Sequence, residues 1–257
     1  MRSNPVKERL ARGETVFGTM VFEFESPGLP AIIAGAGADY ALYDMEHSGF
    51  GIAEMKRQFS YCRGAGLVPL VRPPAKQYHL VSQLLDIGAM GLMLPMVESA
   101  EEAAEIVSWT RYPPDGVRGA LFGGAHDDYA AGGVADKMQK AHERTLVLAL
   151  IETANGLKNV EEIMAVPGID MAHLGHFDLS LSLGIPGDFD RPELQAGIDK
   201  ILEACERNNK AAGCLVPNVA WGRDWMKRGF RMISYSYDIG LVGDGLRVGI
   251  EALKQDG

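Results

Sequence analysis

The 257-residue sequence contains only three cysteines and no long run of apolar residues. Cys62, Cys205 and Cys214 form no CxxC pair and are odd in number, so we expect reduced thiols rather than a disulfide framework. Apolar stretches such as residues 146–151 are far too short to cross a bilayer, and residues 1–13 are charged and lack the apolar core of a signal peptide. The sequence therefore predicts a cytoplasmic protein without a membrane partner.

Positive charge is also scarce, because 25 Lys and Arg residues stand against 34 Asp and Glu residues and the formal net charge is -9. Such a chain has no basic field for a nucleic-acid backbone, so we expect no nucleic-acid partner. A small anionic substrate is still compatible, since one metal ion and one arginine can reverse the local potential. The sequence lacks a GxGxxG or Walker motif opening a helix and a GxSxG elbow, which removes support for nucleotide-binding and serine-hydrolase functions.

The sequence does contain a regular alternation of short, apolar, β-rich runs with longer segments of helical period. Parallel strands need crossover helices, and eight such units close into a barrel. We therefore predict that residues 1–257 form one α/β domain, a (β/α)8 TIM barrel; a doubly wound open sheet is the alternative. The predicted strands are Thr15–Glu23, Tyr40–Glu46, Val68–Arg72, Gly91–Val97, Leu146–Glu152, Met171–Gly175, Ala212–Val216 and Met232–Tyr237. The predicted helices are Leu29–Ala36, Ile52–Arg63, Tyr78–Ile87, Ala100–Thr110, Leu157–Val166, Glu193–Asn208, Trp221–Arg228 and Leu246–Lys254.

One long segment, residues 112–145, interrupts this alternation and is rich in Gly, Asp and Ala. Within it, only residues 134–142 have a helical pattern. Loops of this length in a compact domain are usually functional or lie at an interface. We expect this loop to be functional or to lie at an interface, and we expect His126, Asp127 and Asp128 to form a solvated loop tip or a subunit contact.

Ionisable side chains lie at the ends of several predicted strands, where a barrel of this kind has its active site. Asp44 and His47 follow the second strand, Arg72 ends the third, Glu152 ends the fifth and Asp178 follows the sixth. Two carboxylates on adjacent strands suit a hard cation such as Mg²⁺ or Mn²⁺, with an arginine as anion clamp and a histidine as proton carrier. Each residue also has a simpler interpretation: a helix N-cap for a carboxylate, a surface ion pair for the arginine and a hydrogen-bonded rim residue for the histidine.

Six short motifs follow one another along the chain: Asp44-Met-Glu-His47, Val71-Arg72, Asp86-Ile-Gly-Ala-Met-Gly91, Tyr112-Pro-Pro-x-Gly-x-Arg-Gly119, Ile151-Glu152-Thr153 and Gly175-x-x-Asp178-Leu-Ser180. Together they resemble the metal-dependent (class II) pyruvate aldolases of the 4-hydroxy-2-oxoheptanedioate aldolase type. This family belongs, with the citrate lyase β-subunit and macrophomate synthase, to the phosphoenolpyruvate/pyruvate barrel superfamily. The resemblance covers essentially the whole chain. It implies a carbon–carbon lyase that cleaves or forms 4-hydroxy-2-oxo acids through a pyruvate enolate, with a 2-oxo acid and an aldehyde as small-molecule partners.

The resemblance also implies roles for individual residues. Glu152 and Asp178 look like the ligands of a divalent cation, Mg²⁺ or Mn²⁺ first and Co²⁺ or Zn²⁺ as alternatives. Backbone N–H groups near Gly175 and Phe177 would orient the carboxylate of the 2-oxo acid. Arg72 looks like the group that binds the substrate, polarises its carbonyl and stabilises the enolate oxygen.

Three further expectations come from the same resemblance. His47, paired with Asp86 in the family pattern, looks like the proton carrier. Asp44 is expected to support this network at the substrate or to contact a neighbouring subunit. The family forms hexamers built as dimers of trimers, so the resemblance implies a homo-oligomer, either a hexamer or a trimer. We expect the loop 112–145 and the C-terminal helix to supply the contacts between its subunits.

Two departures from the family pattern concern the substrate. The family often has a glutamine where Leu150 stands, and a Gly-Pro-Ala-Asp type of loop where this chain has Gly175, His176, Phe177 and Asp178. Enolate chemistry is compatible with these changes, whereas the identity of the aldehyde is left open. The alternatives to an aldolase are a related enolate enzyme, either macrophomate synthase-like or an oxaloacetate decarboxylase, and a barrel that binds metal or 2-oxo acid without turnover.

Overall fold

The strands of the computed structural model, which describes residues 1–255, form one closed parallel barrel in the order β1 to β8. This confirms the predicted (β/α)8 barrel. Five strands are one to three residues shorter than predicted at their C-terminal ends, because the chain turns into the rim loops there. The strands are β1 (Val16–Val21), β2 (Tyr40–Asp44), β3 (Val68–Arg72), β4 (Gly91–Leu94), β5 (Leu146–Ile151), β6 (Met171–Leu174), β7 (Ala211–Val216) and β8 (Met232–Tyr237).

The helices surround the barrel and agree with the predicted segments except at four places, one of which is the last helix: it begins at Asp238 and not at the predicted Leu246. The segment predicted as one helix, Leu157–Val166, forms parts of two short helices that meet at Asn159, and two other short helices were not predicted. Those two are α1, where Asn4 accepts a hydrogen bond from the Lys7 N–H, and α9. The helices are α1 (Pro5–Ala11), α2 (Leu29–Gly35), α3 (Ile52–Ala65), α4 (Tyr78–Asp86), α5 (Ala100–Thr110), α6 (Val134–Arg144), α7 (Ala154–Lys158), α8 (Val160–Ala165), α9 (His176–Ser182), α10 (Pro192–Arg207), α11 (Val219–Arg228) and α12 (Asp238–Gln255).

Alternate residues of each strand pack on opposite sides of the barrel wall, as the two-residue period of a strand requires. On β5, Leu146, Leu148 and Leu150 belong to the cluster inside the barrel. Val147 and Ala149 belong to the larger cluster between the strands and the helices. The next residue in the inward phase is the one that follows β5, Glu152, so this alternation directs its carboxylate over the barrel mouth.

The N-terminal end of the barrel is closed by α1 and the segment 112–145. The Asn4 side chain donates hydrogen bonds to the carbonyl oxygens of Met90 and Arg144, at 3.0 Å and 2.8 Å. The expectation of a solvated loop tip is wrong, because His126 and Asp127 are buried. Burial of the Asp127 carboxylate is offset by the Lys137 ammonium, which donates to it at 2.6 Å.

The last helix, α12, starts on the barrel and then leaves it. The Asp238 carboxylate accepts hydrogen bonds from the backbone N–H groups of Phe22, Glu23 and Phe24, which fixes the start of the helix against the loop after β1. Beyond Asp238, no residue of this helix through Gln255 is buried. Among residues 1–255, no helix has both the length and the apolar character needed to span a membrane.

Candidate active site

Asp44 and Arg72 form a buried ion pair at the C-terminal ends of β2 and β3. The two residues are direct partners in the register of these strands, so the sheet itself places them side by side. Arg72 donates from Nε and Nη2 to the two carboxylate oxygens, at 2.8 Å and 2.7 Å. Burial alone would lower the pKa of Arg72, but the hydrogen bonds and the charge of Asp44 outweigh it and raise that pKa above its ordinary value.

Both oxygens of Asp44 are also used by the loop that follows β2. The N–H groups of Glu46 and His47 donate to them at 2.9 Å and 3.2 Å. Glu46 in turn has Oε2 at 3.1 Å from Arg72 Nη1. Asp44 therefore orients the guanidinium and the rim loop, which accounts for its place in the motif without direct contact with a substrate.

Glu152 is a buried carboxylate at the mouth of the barrel, with 3% of its surface exposed. Its Oε1 accepts a hydrogen bond from the Met96 N–H at 2.7 Å, and Met96 has a left-handed backbone with φ of 47°. Burial raises the pKa of Glu152 to about 7, and the negative charges of Asp178 and Glu46 add to this effect against the opposing influence of the Met96 hydrogen bond and the Arg72 charge. The site thus concentrates negative charge that no residue neutralises fully.

Gly175 allows Glu152 to occupy this position. A Cβ atom built on Gly175 would lie 2.6 Å from Glu152 Cβ and 2.8 Å from Oε2, both closer than side chains approach one another. The Gly175 N–H donates to the Ile151 carbonyl oxygen at 3.1 Å and so belongs to the strand pairing. The structure therefore gives this glycine a steric role, and the expectation that N–H groups near it orient a substrate stays a prediction.

Asp178 and Phe177 lie in the first turn of α9, directly after β6, and both side chains are exposed. N–H groups in the first turn of a helix have no partner within the helix, and among residues 1–255 the Phe177 N–H has no other acceptor, so it is available to a ligand. His176, by contrast, is packed edge-on against Phe189 and Trp225, with ring centroids 5.1 Å and 5.4 Å away. Burial lowers the pKa of His176 to about 4, so this imidazole is neutral at physiological pH.

A cavity of about 140 Å³ joins these residues at the C-terminal end of the barrel. Arg72, Glu152 and Asp178 line it, and His47 lies at its edge with 59% of its side chain exposed. The structure therefore brings together most of the residues predicted from the strand ends. The remaining lining residues are Met20, Phe22, Met93, Leu150, His173, Leu174, Gly175, His176, Phe177 and Leu215.

Asp86 is the predicted site residue that the structure does not bring to this cavity. It is the last residue of α4, which runs from the C-terminal rim back to the opposite end of the barrel. Its carboxylate accepts a hydrogen bond from Arg118 Nη2 at 2.7 Å, and Arg118 lies in the segment 112–145. Within one chain, Asp86 and His47 are thus at opposite ends of the barrel.

His173 is a cavity residue that was not among the predicted site residues. It faces the core, two residues before Gly175 and within the cavity lining. The alternation along β6 could have predicted this orientation, because Met171 and His173 point into the barrel whereas Ala172 and Leu174 point toward the helices.

Comparisons with known proteins agree with this geometry. A profile of the HpcH/HpaI aldolase/citrate lyase family matches residues 20–244. The chain is 38% identical over 239 residues to a hydroxypyruvate/pyruvate aldolase of Chromohalobacter salexigens, covering 93% of each chain. It is 35% identical over 256 residues to a 2-keto-3-deoxy-L-rhamnonate aldolase of Klebsiella pneumoniae, covering 99% of this chain and 94% of the relative.

A solved structure gives the same result. The crystal structure of an HpcH/HpaI aldolase from Desulfitobacterium hafniense superposes with a TM-score of 0.92 at 32% identity, covering 96% of each chain. The similarity to these aldolases accounts for the order of the motifs, the closed barrel and the polar residues at its mouth. The chain belongs to the HpcH/HpaI aldolase/citrate lyase family and is an aldolase, a carbon–carbon lyase.

Proposed function

We propose that this aldolase forms and cleaves 4-hydroxy-2-oxo acids through the enolate of a bound 2-oxo acid, with a divalent cation held by Glu152 and Asp178. The observation that carries the proposal is that Glu152 and Arg72 lie on one largely apolar cavity. Aldol cleavage leaves negative charge on an enolate oxygen, and a cation together with a guanidinium in such a cavity stabilises that charge. The names of the curated relatives, which include pyruvate, hydroxypyruvate and 2-keto-3-deoxy-L-rhamnonate, support the same donor class.

The alternatives receive less support. A decarboxylase, a macrophomate synthase-like enzyme and a barrel without turnover are not favoured, because the curated relatives are named aldolases. The cavity adds a physical reason for placing the functional site around Glu152. A carboxylate whose pKa burial raises to about 7 destabilises the folded chain at physiological pH, and such groups concentrate at functional sites.

Glu152 and Asp178 fit a hard divalent cation. Among residues 1–255, no group donates a hydrogen bond to Glu152 Oε2, and no cluster of three or more His, Cys, Asp or Glu side chains suited to a metal is present. Two carboxylates with other positions left for water and substrate is the arrangement that Mg²⁺ prefers, and Mn²⁺ accepts it as well; Co²⁺ and Zn²⁺ are the alternatives. When bound, the cation polarises the 2-oxo group and stabilises the charge of the enolate.

The chain's own residues would then position and stabilise the reacting acid. Arg72, held by Asp44, presents a permanent positive charge to the enolate oxygen, and its planar group cannot rotate away without breaking two hydrogen bonds. The free Phe177 N–H is placed to orient the carboxylate of the 2-oxo acid. The apolar wall, including Met93 and Leu150, excludes water and so strengthens these interactions.

Proton transfer is assigned to His47. Cleavage removes a proton from the C4 hydroxyl, breaks the C3–C4 bond to release the aldehyde, and leaves the enolate to take up a proton at C3. The exposed His47 ring can exchange protons with solvent between these steps, and Glu46 Oε2 lies 3.8 Å from its Nε2. Because Asp86 lies at the opposite end of the same barrel, the predicted pairing of Asp86 with His47 requires a second copy of the chain.

The test is an aldol cleavage assay with 4-hydroxy-2-oxo acids and the reverse condensation of pyruvate or hydroxypyruvate with small aldehydes. We expect chelator to lower the rate by at least about 100-fold, since a catalytic cation contributes several kcal/mol. Addition of Mg²⁺ or Mn²⁺ should restore the rate. A rate that chelator does not change would contradict the proposed metal mechanism, and absence of turnover with all these acids would contradict the substrate class.

We also propose that the protein is a homo-oligomer, a hexamer or a trimer, in which α12 of one copy covers an apolar groove on another. The groove lies over β1 and α2, has a volume of about 560 Å³ and is lined by residues such as Phe17, Leu29 and Ile32. On α12, Leu246 and Leu253 are 60% and 77% exposed. Exposed apolar surface on this scale is unusual in a monomer and typical of an interface.

This arrangement makes a prediction for the variant Leu246→Glu/Leu253→Glu. Two buried charges in an apolar contact cannot be solvated, so we expect the assembly to dissociate into smaller species. Light scattering coupled to size-exclusion chromatography measures this. The matched control is Glu251→Lys on the same helix, which alters charge without removing an apolar contact and should leave the mass unchanged. A wild-type monomer, or a double variant of unchanged mass, would argue against the proposed contact.

A further inference from the structure

His173 lies in the middle of β6 and its side chain points into the barrel. Its neighbour Met171 belongs to the cluster inside the barrel, whereas Ala172 and Leu174 belong to the cluster between strands and helices. Only 2% of His173 is exposed. The imidazole is therefore an internal group of the barrel and not a surface residue.

The strands on either side make room for this ring. In the barrel register, His173 pairs with Leu150 on β5 and with Gly213 on β7. A Cβ atom on Gly213 would lie 3.0 Å from His173 Cδ2, so a side chain there would press on the imidazole. The glycine on one side and the apolar Leu150 on the other hold the ring in place without offering it a hydrogen bond.

Among residues 1–255, neither ring nitrogen of His173 has a hydrogen-bond partner. Burial, together with the nearby positive charge of Arg72, lowers the pKa of His173 to about 3, so the ring is neutral and carries one N–H donor and one acceptor. A buried polar group without a partner destabilises a protein, and an apolar ring of similar shape would avoid that cost. The histidine is therefore explained by a partner that enters the cavity, which His173 lines together with Arg72 and Glu152.

The position of His173 indicates which molecule supplies that partner. Leu150, its partner in register, precedes Glu152 by two residues, and two strand residues span about 6.6 Å. The imidazole thus lies one layer below the carboxylate that would hold the 2-oxo acid. An aldehyde must reach the bound acid from the open rim, where His47 is exposed, so a group that faces His173 belongs to the acid.

We infer that His173 is a specificity-determining residue that hydrogen-bonds to a hydroxyl group on C3 of the bound 2-oxo acid. The cavity therefore prefers a 3-hydroxy-2-oxo acid, such as hydroxypyruvate, to an acid in which C3 is itself a methyl group, such as pyruvate. The inference rests on the proposed aldolase function and deepens it. In the enolate of such a donor the C3 hydroxyl lies in the plane of the double bond. A hydrogen bond made in that plane leaves the face of C3 free for the new bond to the aldehyde carbon.

The experiment compares hydroxypyruvate with pyruvate as donors toward one aldehyde, at one metal concentration, in the wild type and in His173→Phe. We expect the wild type to prefer hydroxypyruvate in kcat/KM. His173→Phe should lower the hydroxypyruvate-to-pyruvate ratio by about 10–100-fold, the loss expected when a site built around a hydrogen bond loses one partner, while kcat/KM for pyruvate changes little. His173→Gln, which retains a donor and an acceptor, should recover part of the ratio. Leu148→Met, an apolar change inside the barrel at a residue that does not line the cavity, is the matched control and should leave the ratio unchanged.

A second readout does not depend on turnover. In the metal-loaded wild type, the ¹⁵N resonances of the His173 ring should shift on addition of hydroxypyruvate and much less on addition of pyruvate. An unchanged donor ratio in a folded His173→Phe protein, with equal ¹⁵N shifts for both acids, would overturn the inference and leave water as the partner of the imidazole. Absence of turnover with either donor would instead count against the proposed function, and the ¹⁵N shifts would still decide the role of His173.

Discussion

Replacing Glu152 by glutamine is expected to reduce kcat by about 10³-fold, because a catalytic cation contributes several kcal/mol and the variant has lost the buried carboxylate proposed to hold it. Glutamine has nearly the same shape, and its amide oxygen can still accept the hydrogen bond from the Met96 N–H. A lower kcat in this variant would therefore result from the missing negative charge at residue 152 and not from a change in the shape of the cavity. Steady-state kinetics over a range of Mn²⁺ concentrations, together with calorimetric titration of the metal, measures both consequences.

The same variant should be more stable than the wild type when both are free of metal at pH 8. Folding raises the Glu152 pKa from its ordinary value of 4.5 to about 7, so between these values the folded chain binds more protons than the unfolded chain. The stability linked to this group is therefore fully present below pH 4.5 and is lost as the pH rises through 7. The shift corresponds to about 3 kcal/mol, and its removal should raise the Tm at pH 8 by roughly 5–10 °C.

The matched control is Glu143→Gln on α6, where the carboxylate is exposed and bonded to Gln139. It should change neither activity nor the dependence of Tm on pH. If Glu152→Gln kept wild-type metal affinity and turnover, Glu152 would have to be removed from the metal site. If its Tm at pH 8 fell, the burial of an unpaired charge would be the wrong description of this carboxylate.

The variant Arg72→Lys is expected to lower kcat/KM by about 100- to 1000-fold, as removal of a donor to a developing oxyanion does. Lysine keeps the positive charge but cannot donate two parallel hydrogen bonds to Asp44 from one planar group. The Asp44 carboxylate is fully buried, so its incomplete pairing should also lower the free energy of unfolding, by about 1–3 kcal/mol. Kinetics with both donors and urea denaturation measure the two effects.

Arg57→Lys provides the control for this substitution. Arg57 is half exposed and donates to Glu54 at 2.7 Å on the surface of α3. Exposed ion pairs contribute little, so this variant should match the wild type in both assays. An Arg72→Lys enzyme with unchanged kcat would show that charge alone is sufficient at this position and that the planar geometry has no catalytic role.

The barrel could be predicted from local patterns because each βα unit repeats the same alternation of periods. The strands Val68–Arg72 and Met232–Tyr237 have the predicted bounds, as does the helix Ala100–Thr110, whose N-terminus is capped by the Ser99 side chain. The short helix α9 was not predicted, since Gly175 offers no side-chain cap and seven residues carry little periodic signal. Packing against α10 and the burial of Leu179, rather than helix propensity, hold it in place.

The individual site residues could also be predicted from the sequence, because Arg72 ends β3, Glu152 directly follows β5, and the C-terminal ends of all strands meet at one rim. The separate role of each of these residues could not be predicted from the sequence. That Asp44 uses both oxygens on Arg72 and the rim loop follows from the register of β2 with β3, which no local pattern specifies. The place of Asp86 likewise depends on the direction in which α4 runs relative to the strands.

By itself, the sequence determined the fold class, the closed set of eight units and the chemical types of residue at the barrel mouth, since all of these are encoded in local period and in the last residue of each strand. Only the tertiary structure decided which side chains are buried together. Burial is what raises the pKa of Glu152 and leaves the His173 ring without a protein partner. Both properties depend on neighbours on other strands, because solvation and hydrogen bonding are set by what surrounds a group in space rather than by what precedes it in the chain.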